Sequence, residues 1–106
     1  MKTPVAQFEI QRVQLLDETA RPLDDHPLLS DWERLLALYR AMVLTRLFDQ
    51  KAVALQRTGQ LGTYPSCLGA EAFSVGAGLA MATDDVLVPY YRDQGAQLLR
   101  GVSMAE

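Results

Sequence analysis

The sequence has little of what most often announces a site. Its 106 residues hold one cysteine, one histidine and one tryptophan, and no asparagine. The lone Cys67 excludes an internal disulfide, and no C-x-x-C or H-x-x-x-H spacing exists to hold a structural metal. Such cysteine usage points to a reducing, cytoplasmic setting. No apolar run approaches the roughly 18 residues that a bilayer-crossing helix needs, and residues 1–10 lack the basic-then-apolar layout of an export signal, so no membrane partner is expected. Basic residues are not in excess either: Lys and Arg number 10 against 13 Asp and Glu. A protein that binds nucleic acid through phosphates needs a basic stripe to release counterions, so nucleic acid is excluded as a partner. What remains is a globular composition, 49% hydrophobic and 22% charged, at the length of one small domain.

The charge is unevenly spread. Residues 1–34 carry four basic side chains against seven acidic ones, and residues 35–106 carry six of each, so the whole deficit lies in the N-terminal third. Residues 1–30 read as an extended arm ahead of a folded part at 31–106. Phe8, Ile10, Val13 and Leu15 or Leu16 are spaced roughly as in a strand. Residues 17–22 then read as a turn, with Pro22 and Pro27 blocking a helix. His26, in this proline-flanked acidic stretch, reads as an exposed loop residue rather than a proton shuttle.

Ser30-Asp31-Trp32-Glu33 has the form of a capping box, and a long helix is predicted from there to about Thr58, with Gly59 as its stop. At about 100° per residue, Leu35, Leu38, Tyr39, Met42, Val43 and Val53 form one broad stripe, while Leu44, Phe48 and Leu55 fall opposite. Such a helix calls for neighbours on both sides. Arg46 and Asp49, three apart, are expected to pair with each other in a structural role. After a loop over 60–68, residues 70–82 predict a helix with a small-residue stripe of Ala72, Gly76 and Ala80, and Gly78 beside it, suited to close approach of another backbone. Gly76-Ala77-Gly78 lies inside that helical pattern and lacks the third glycine of a dinucleotide-binding loop. Residues 86–90 form a short, partly β-branched apolar run that predicts a buried strand, and 93–100 predict a helix stopped by Gly101. The order helix, helix, strand, helix points to an α/β fold.

If 86–90 is a strand, Tyr91 and Arg92 stand just past its carboxyl end, where open α/β sheets place their ligands. The guanidinium of Arg92 is a planar fork of donors suited to a phosphate, and Tyr91 adds a hydroxyl and an aromatic face. The pair fits an anionic ligand; it also fits a structural cap at a strand end.

Several blocks, in order, resemble a known family. They are Tyr39-Arg40-Ala41-Met42, Arg46-Leu47-Phe48-Asp49, Gly62-Thr63-Tyr64 leading to Gly69-Ala70-Glu71-Ala72 with Val75-Gly76, and Asp85 through Tyr91-Arg92-Asp93 to Arg100-Gly101. Over residues 32–106 they resemble the alpha subunit of the thiamine diphosphate-dependent 2-oxo acid dehydrogenases. Residues 11–23 are similar, more weakly, to the N-terminal extension of bacterial pyruvate dehydrogenase alpha subunits.

The resemblance implies that Tyr91 and Arg92 help bind the diphosphate of thiamine diphosphate, with Tyr90 near the same site and Tyr64 and Ser66 in a loop at the active-site entrance. Pro65 stands where some pyruvate enzymes have histidine. Ala70 stands where Gln or Glu is usual, and Glu71 is expected to be a structural carboxylate at a helix N-terminus. The implied reaction is decarboxylation of a 2-oxo acid and transfer of the acyl group to a lipoyl group of a partner acyltransferase. Pyruvate is favoured, with branched-chain 2-oxo acids and acetoin as alternatives. The implied assembly is a heterotetramer with a second alpha subunit and beta subunits, the cofactor-activating glutamate coming from the beta subunit.

The family's Mg²⁺ is held by a Gly-Asp-Gly segment and a following asparagine, neither of which this sequence contains, so its ligands are expected outside these residues and no residue here is assigned a catalytic or metal-binding role. The expected fold is the first part of a thiamine diphosphate-binding α/β domain, mostly helical with at least one buried parallel-type strand at about 86–90 and truncated at its C-terminus. Ser103-x-x-Glu106 reads as a further capping box opening another helix. The 106 residues alone are expected to be inactive. The alternative of another class is a non-catalytic assembly module that packs through the two-sided helix and the small-residue stripe.

Overall fold

The computed structural model describes residues 1–105 and divides into two units, Met1–Asp31 and Trp32–Glu106. The first unit has no regular secondary structure over most of its length. Its one ordered turn is built by Asp17, whose Oδ1 accepts from Thr19 N (2.8 Å), Thr19 Oγ1 (2.8 Å) and Arg21 N (2.9 Å). Ala20 takes φ 61°, and Leu16 and Pro22 form an isolated antiparallel bridge. This is the turn expected over 17–22; the strand-like spacing before it pairs only at its end, where Leu23 N donates to Leu15 O (2.9 Å). His26 is exposed, and its Nδ1 accepts from Leu28 N at 3.2 Å. It caps a short 3-10 helix, Pro27–Ser30, so Pro27 opens a helical turn where the sequence led us to expect none. Ser30 Oγ donates to Pro27 O (3.0 Å) within that turn.

The second unit is three helices that pack pairwise: α1 (Trp32–Arg57), α2 (Glu71–Ala80) and α3 (Gln94–Leu99). Gly59 stops α1 as predicted. It takes φ 74° while Gly59 N donates to Gln56 O (3.1 Å) and Gln60 N to Leu55 O (2.9 Å), the paired bonds of a Schellman cap. The same device closes α3: Gly101 takes φ 89°, with Gly101 N on Leu98 O (3.1 Å) and Val102 N on Gln97 O (3.0 Å).

Among the described residues there is no strand, which corrects the expectation for 86–90. Val86 and Val88 are 84% and 87% exposed. A parallel-type strand must exchange hydrogen bonds with a neighbour, and no other described segment offers one. The segment is anchored at its start instead, where Arg100 donates from Nη1 to Ala82 O (2.8 Å) and from Nη2 to Thr83 O (3.2 Å) and Asp85 O.

The helices meet on small and polar residues. The buried face of α1 is Thr45, Asp49 and Ala52, running between the two apolar stripes read from the sequence. Tyr39, Val43, Leu44 and Leu47 on its flanks stay exposed. On α2 the small stripe points the other way from expectation: Ala72 and Ala80 are exposed and nothing lies near Gly76, whereas Gly78 is buried against α3. A Cβ on Gly78 would lie 3.0 Å from Ala96 Cα. Gly95 is held as closely by Val75, Thr45 and Ser74. Among the described residues the buried apolar set is Ala52, Cys67, Val75 and Ala96. Among the described residues no helix is long and apolar enough to cross a membrane.

Candidate functional site

Asp49 organises the loop between α1 and α2. Its carboxylate is buried, and three donors from residues 64–67 converge on it: Tyr64 Oη (2.9 Å) and Cys67 N (2.7 Å) on Oδ1, and Ser66 Oγ (2.7 Å) on Oδ2. Phe48, one residue before Asp49, meets the Tyr64 ring edge to face at 6.2 Å. The expected Arg46 and Asp49 pair therefore does not form. Arg46 reaches the first turn of α2 instead, where its Nε is bonded to Glu71 Oε1, while Glu71 Oε2 accepts from Gly69 N (2.9 Å). Two charges three residues apart on a helix can reach each other, but a partner on a facing element wins when it also caps an otherwise orphaned amide.

From the other side the loop is met by residues 91–94. Arg92 Nη1 donates to the carbonyl oxygen of Ser66, and Gln94 Nε2 donates to Tyr91 O (3.1 Å) and Pro65 O (3.4 Å). The Tyr91 ring lies 5.0 Å from the Arg92 guanidinium carbon, a cation–π distance, and meets the Tyr90 ring edge to face at 5.3 Å. Tyr90 and Tyr91 are both exposed, and Tyr90 N is tied to Asp93 Oδ2 (3.0 Å). Beside this cluster lies an apolar groove of about 690 Å³ whose walls include Phe48, Ala52, Tyr64, Tyr91, Gln94 and Leu98. Gln94 Oε1 is buried and has no hydrogen-bond partner.

The electrostatics follow from these bonds. Burial works to raise the Asp49 carboxyl, but the hydrogen bonds from Ser66, Cys67 and Tyr64 outweigh it and hold the group below the usual carboxylate range. Tyr64 is pushed far up, by burial first and then by its bond to Asp49. The Cys67 thiol is pushed up to about 11, again by burial first and then by the Asp49 charge. Glu71 is held low, chiefly by its bond to Arg46.

The five residues singled out from the sequence thus fall in one region: Tyr64 and Ser66 on the loop, Tyr90, Tyr91 and Arg92 on the segment facing it, joined through the Ser66 carbonyl. Sequence reasoning missed Asp49 as the loop's anchor and Gln94 as a second tie. The signal for Asp49 was present as a carboxylate on the core side of a helix ahead of a loop rich in donors. The donor set suits an anion, because one guanidinium nitrogen of Arg92 is committed to Ser66 while Nε and Nη2 have no hydrogen-bond partner among the described residues, and an aromatic face and hydroxyl stand beside them. No group of three or more His, Cys, Asp or Glu that could hold a metal ion is gathered among the described residues.

The family model described as "Dehydrogenase E1 component" matches residues 39–106. The chain is 38% identical over 96 residues to the 3-methyl-2-oxobutanoate dehydrogenase subunit alpha of Mycobacterium tuberculosis, covering 89% of this chain and 26% of that one. It is 34% identical over 102 residues to the pyruvate dehydrogenase E1 component subunit alpha of Staphylococcus aureus, covering 94% of this chain and 27% of that one. The chain spans about a quarter of the length of these relatives. No solved structure is matched. The family model runs from Tyr39 in α1 through the Asp49 loop to the Tyr91 and Arg92 pair and beyond, so every element of the site lies within it, and the chain belongs to the dehydrogenase E1 component family.

Proposed function

We propose that this chain forms the N-terminal part of the alpha subunit of a thiamine diphosphate-dependent 2-oxo acid dehydrogenase, in which Tyr91 and Arg92 take the cofactor's diphosphate. The observation that carries the reading is the Arg92 guanidinium, braced on the Ser66 carbonyl, with Nε and Nη2 uncommitted among the described residues and the Tyr91 face beside it. When bound, the cofactor supplies the electron sink on which a 2-oxo acid loses carbon dioxide. The residues of this chain bind and orient its charged end: Arg92 contributes charge-assisted donors, Tyr91 a hydroxyl and an aromatic face, and Tyr90 packs edge to face against Tyr91. Tyr64 and Ser66, fixed by Asp49, form part of the entrance to the site. A Mg²⁺ accompanying the cofactor would take its protein ligands from outside these residues.

Pyruvate is the first reading of the substrate, because the likeness to the Staphylococcus pyruvate enzyme extends over 94% of the chain and so takes in nearly all of the arm. A branched-chain 2-oxo acid is the second, on the 38% identity to the Mycobacterium subunit. The acyl group passes to a lipoyl group of a partner acyltransferase, and the assembly holds beta subunits and a second alpha subunit. The test is an assay of the complete enzyme with an artificial electron acceptor, thiamine diphosphate and Mg²⁺, comparing kcat/KM for pyruvate and 3-methyl-2-oxobutanoate. Turnover of neither acid, with the cofactor bound, would favour a non-catalytic assembly role.

A further inference from the structure

We infer that Asp49 is a positioning residue for the Arg92 guanidinium and that it acts through one peptide group, the one joining Ser66 to Cys67. The N–H of that peptide donates to Asp49 Oδ1 at 2.7 Å, and its C=O accepts from Arg92 Nη1. The peptide is trans, so its N–H and C=O lie in the peptide plane and point in opposite directions across the C–N bond. A carboxylate therefore lies at the positive end of the peptide dipole and a guanidinium at its negative end, and each favours the orientation that serves the other. The inference rests on the reading of Arg92 as a diphosphate contact.

Three observations separate this from ordinary loop packing. Asp49 is 3% exposed and has only acceptors, so it cannot itself meet an anion. All three donors to it come from residues 64–67, and none of them is a cation. The nearby cation on its own helix, Arg46, is bonded to Glu71. The loop in turn presents a carbonyl to Arg92, a side chain whose long stem loses considerable rotamer freedom when it is fixed. With one nitrogen held on Ser66 and Gln94 tying the same two segments, Arg92 meets a ligand with part of that ordering already done.

The test is a double-mutant cycle on the complete enzyme, with calorimetric titration of thiamine diphosphate in Mg²⁺ and, separately, of inorganic pyrophosphate. Asp49→Asn keeps the shape but removes the charge and the acceptor for Ser66 Oγ. It is expected to raise Kd about tenfold when Arg92 is present and to leave Kd within about twofold in an Arg92→Ala background. A role confined to holding the fold would raise Kd by the same factor in both backgrounds, and that result overturns the inference. Ser66→Ala decides the matter if Asp49→Asn fails to fold: about a threefold rise, again only with Arg92 present, is expected, and an unchanged Kd overturns the link. Glu71→Gln alters another buried carboxylate with no bond to residues 64–67 and should leave Kd unchanged; a comparable rise there would show that general loosening suffices. Failure of the wild type to bind either probe would instead overturn the reading of Arg92 itself.

Discussion

Arg46 and Glu71, 25 residues apart in the chain, tie α1 to the first turn of α2, and the second Glu71 oxygen receives the amide of Gly69. One carboxylate thus does two jobs, as an ion-pair partner and as a cap. Its pKa is lowered in the folded chain, as is that of Asp49. A carboxyl whose folded value lies below its unfolded one adds stability above the unfolded value and loses it as pH falls through the folded one. Denaturant midpoints measured from pH 7 downward should therefore hold until the ordinary carboxylate range and then fall. Glu71→Gln should lower Tm by about 5 °C at pH 7 and flatten that acid fall. A midpoint as steep in pH as the wild type's would assign the dependence to other groups.

The glycines separate into two kinds, and alanine distinguishes them. At Gly78 and Gly95 a Cβ would come within 3.0 Å of Ala96 Cα and of Val75 Cγ2 respectively. Each Gly→Ala change there should cost about 1–3 kcal/mol through overpacking. At Gly76 nothing lies within 4 Å, and alanine in that helical position should stabilise by about 0.5–1 kcal/mol. Chemical denaturation of the three variants reads both signs.

Removing the guanidinium should be felt at the cofactor. In the complete enzyme, Arg92→Ala is expected to raise the Kd for thiamine diphosphate about 10- to 100-fold, the loss of a charge-assisted contact. An unchanged Kd would return Arg92 to a structural cap on the loop.

Cys67 should be inert until the loop opens. It is 1% exposed and its thiol is pushed up to about 11. At pH 8 its reaction with a disulfide reagent is expected to be at least about a hundredfold slower in the native chain than in denaturant, from the smaller thiolate fraction alone. Fast native labelling would mean that residues 64–67 leave Asp49 often.

Local signals in the sequence proved readable where one residue decides the outcome. Gly59 and Gly101 stop their helices because each must take a positive φ that other residues resist. The signals misled where the outcome depended on a partner remote in sequence. Arg46 has an acid at the right helical spacing in Asp49, yet the facing α2 offers a better one. The apolar run at 86–90 has the composition of a strand, yet no second strand is present among the described residues to pair with it. Of the candidate site, Tyr91 and Arg92 were singled out by side-chain chemistry and by the family resemblance, although the strand end expected to carry them does not form among the described residues. Asp49 was not, because its partners lie 15 to 18 residues away and its burial runs against the habit of carboxylates.

The amide of Ala96, in the first turn of α3, donates to Ser74 Oγ of α2 at 2.8 Å, while the Asp93 carboxylate that could have capped the helix faces Tyr90 N. A six-residue helix lies far below the roughly 12–15 residues at which isolated helices become even marginal, and it starts on a hydroxyl borrowed from 22 residues upstream. The stability of α3 is thereby coupled to that of α2, and a substitution that frays α2 is expected to loosen the segment that carries Gln94 with it.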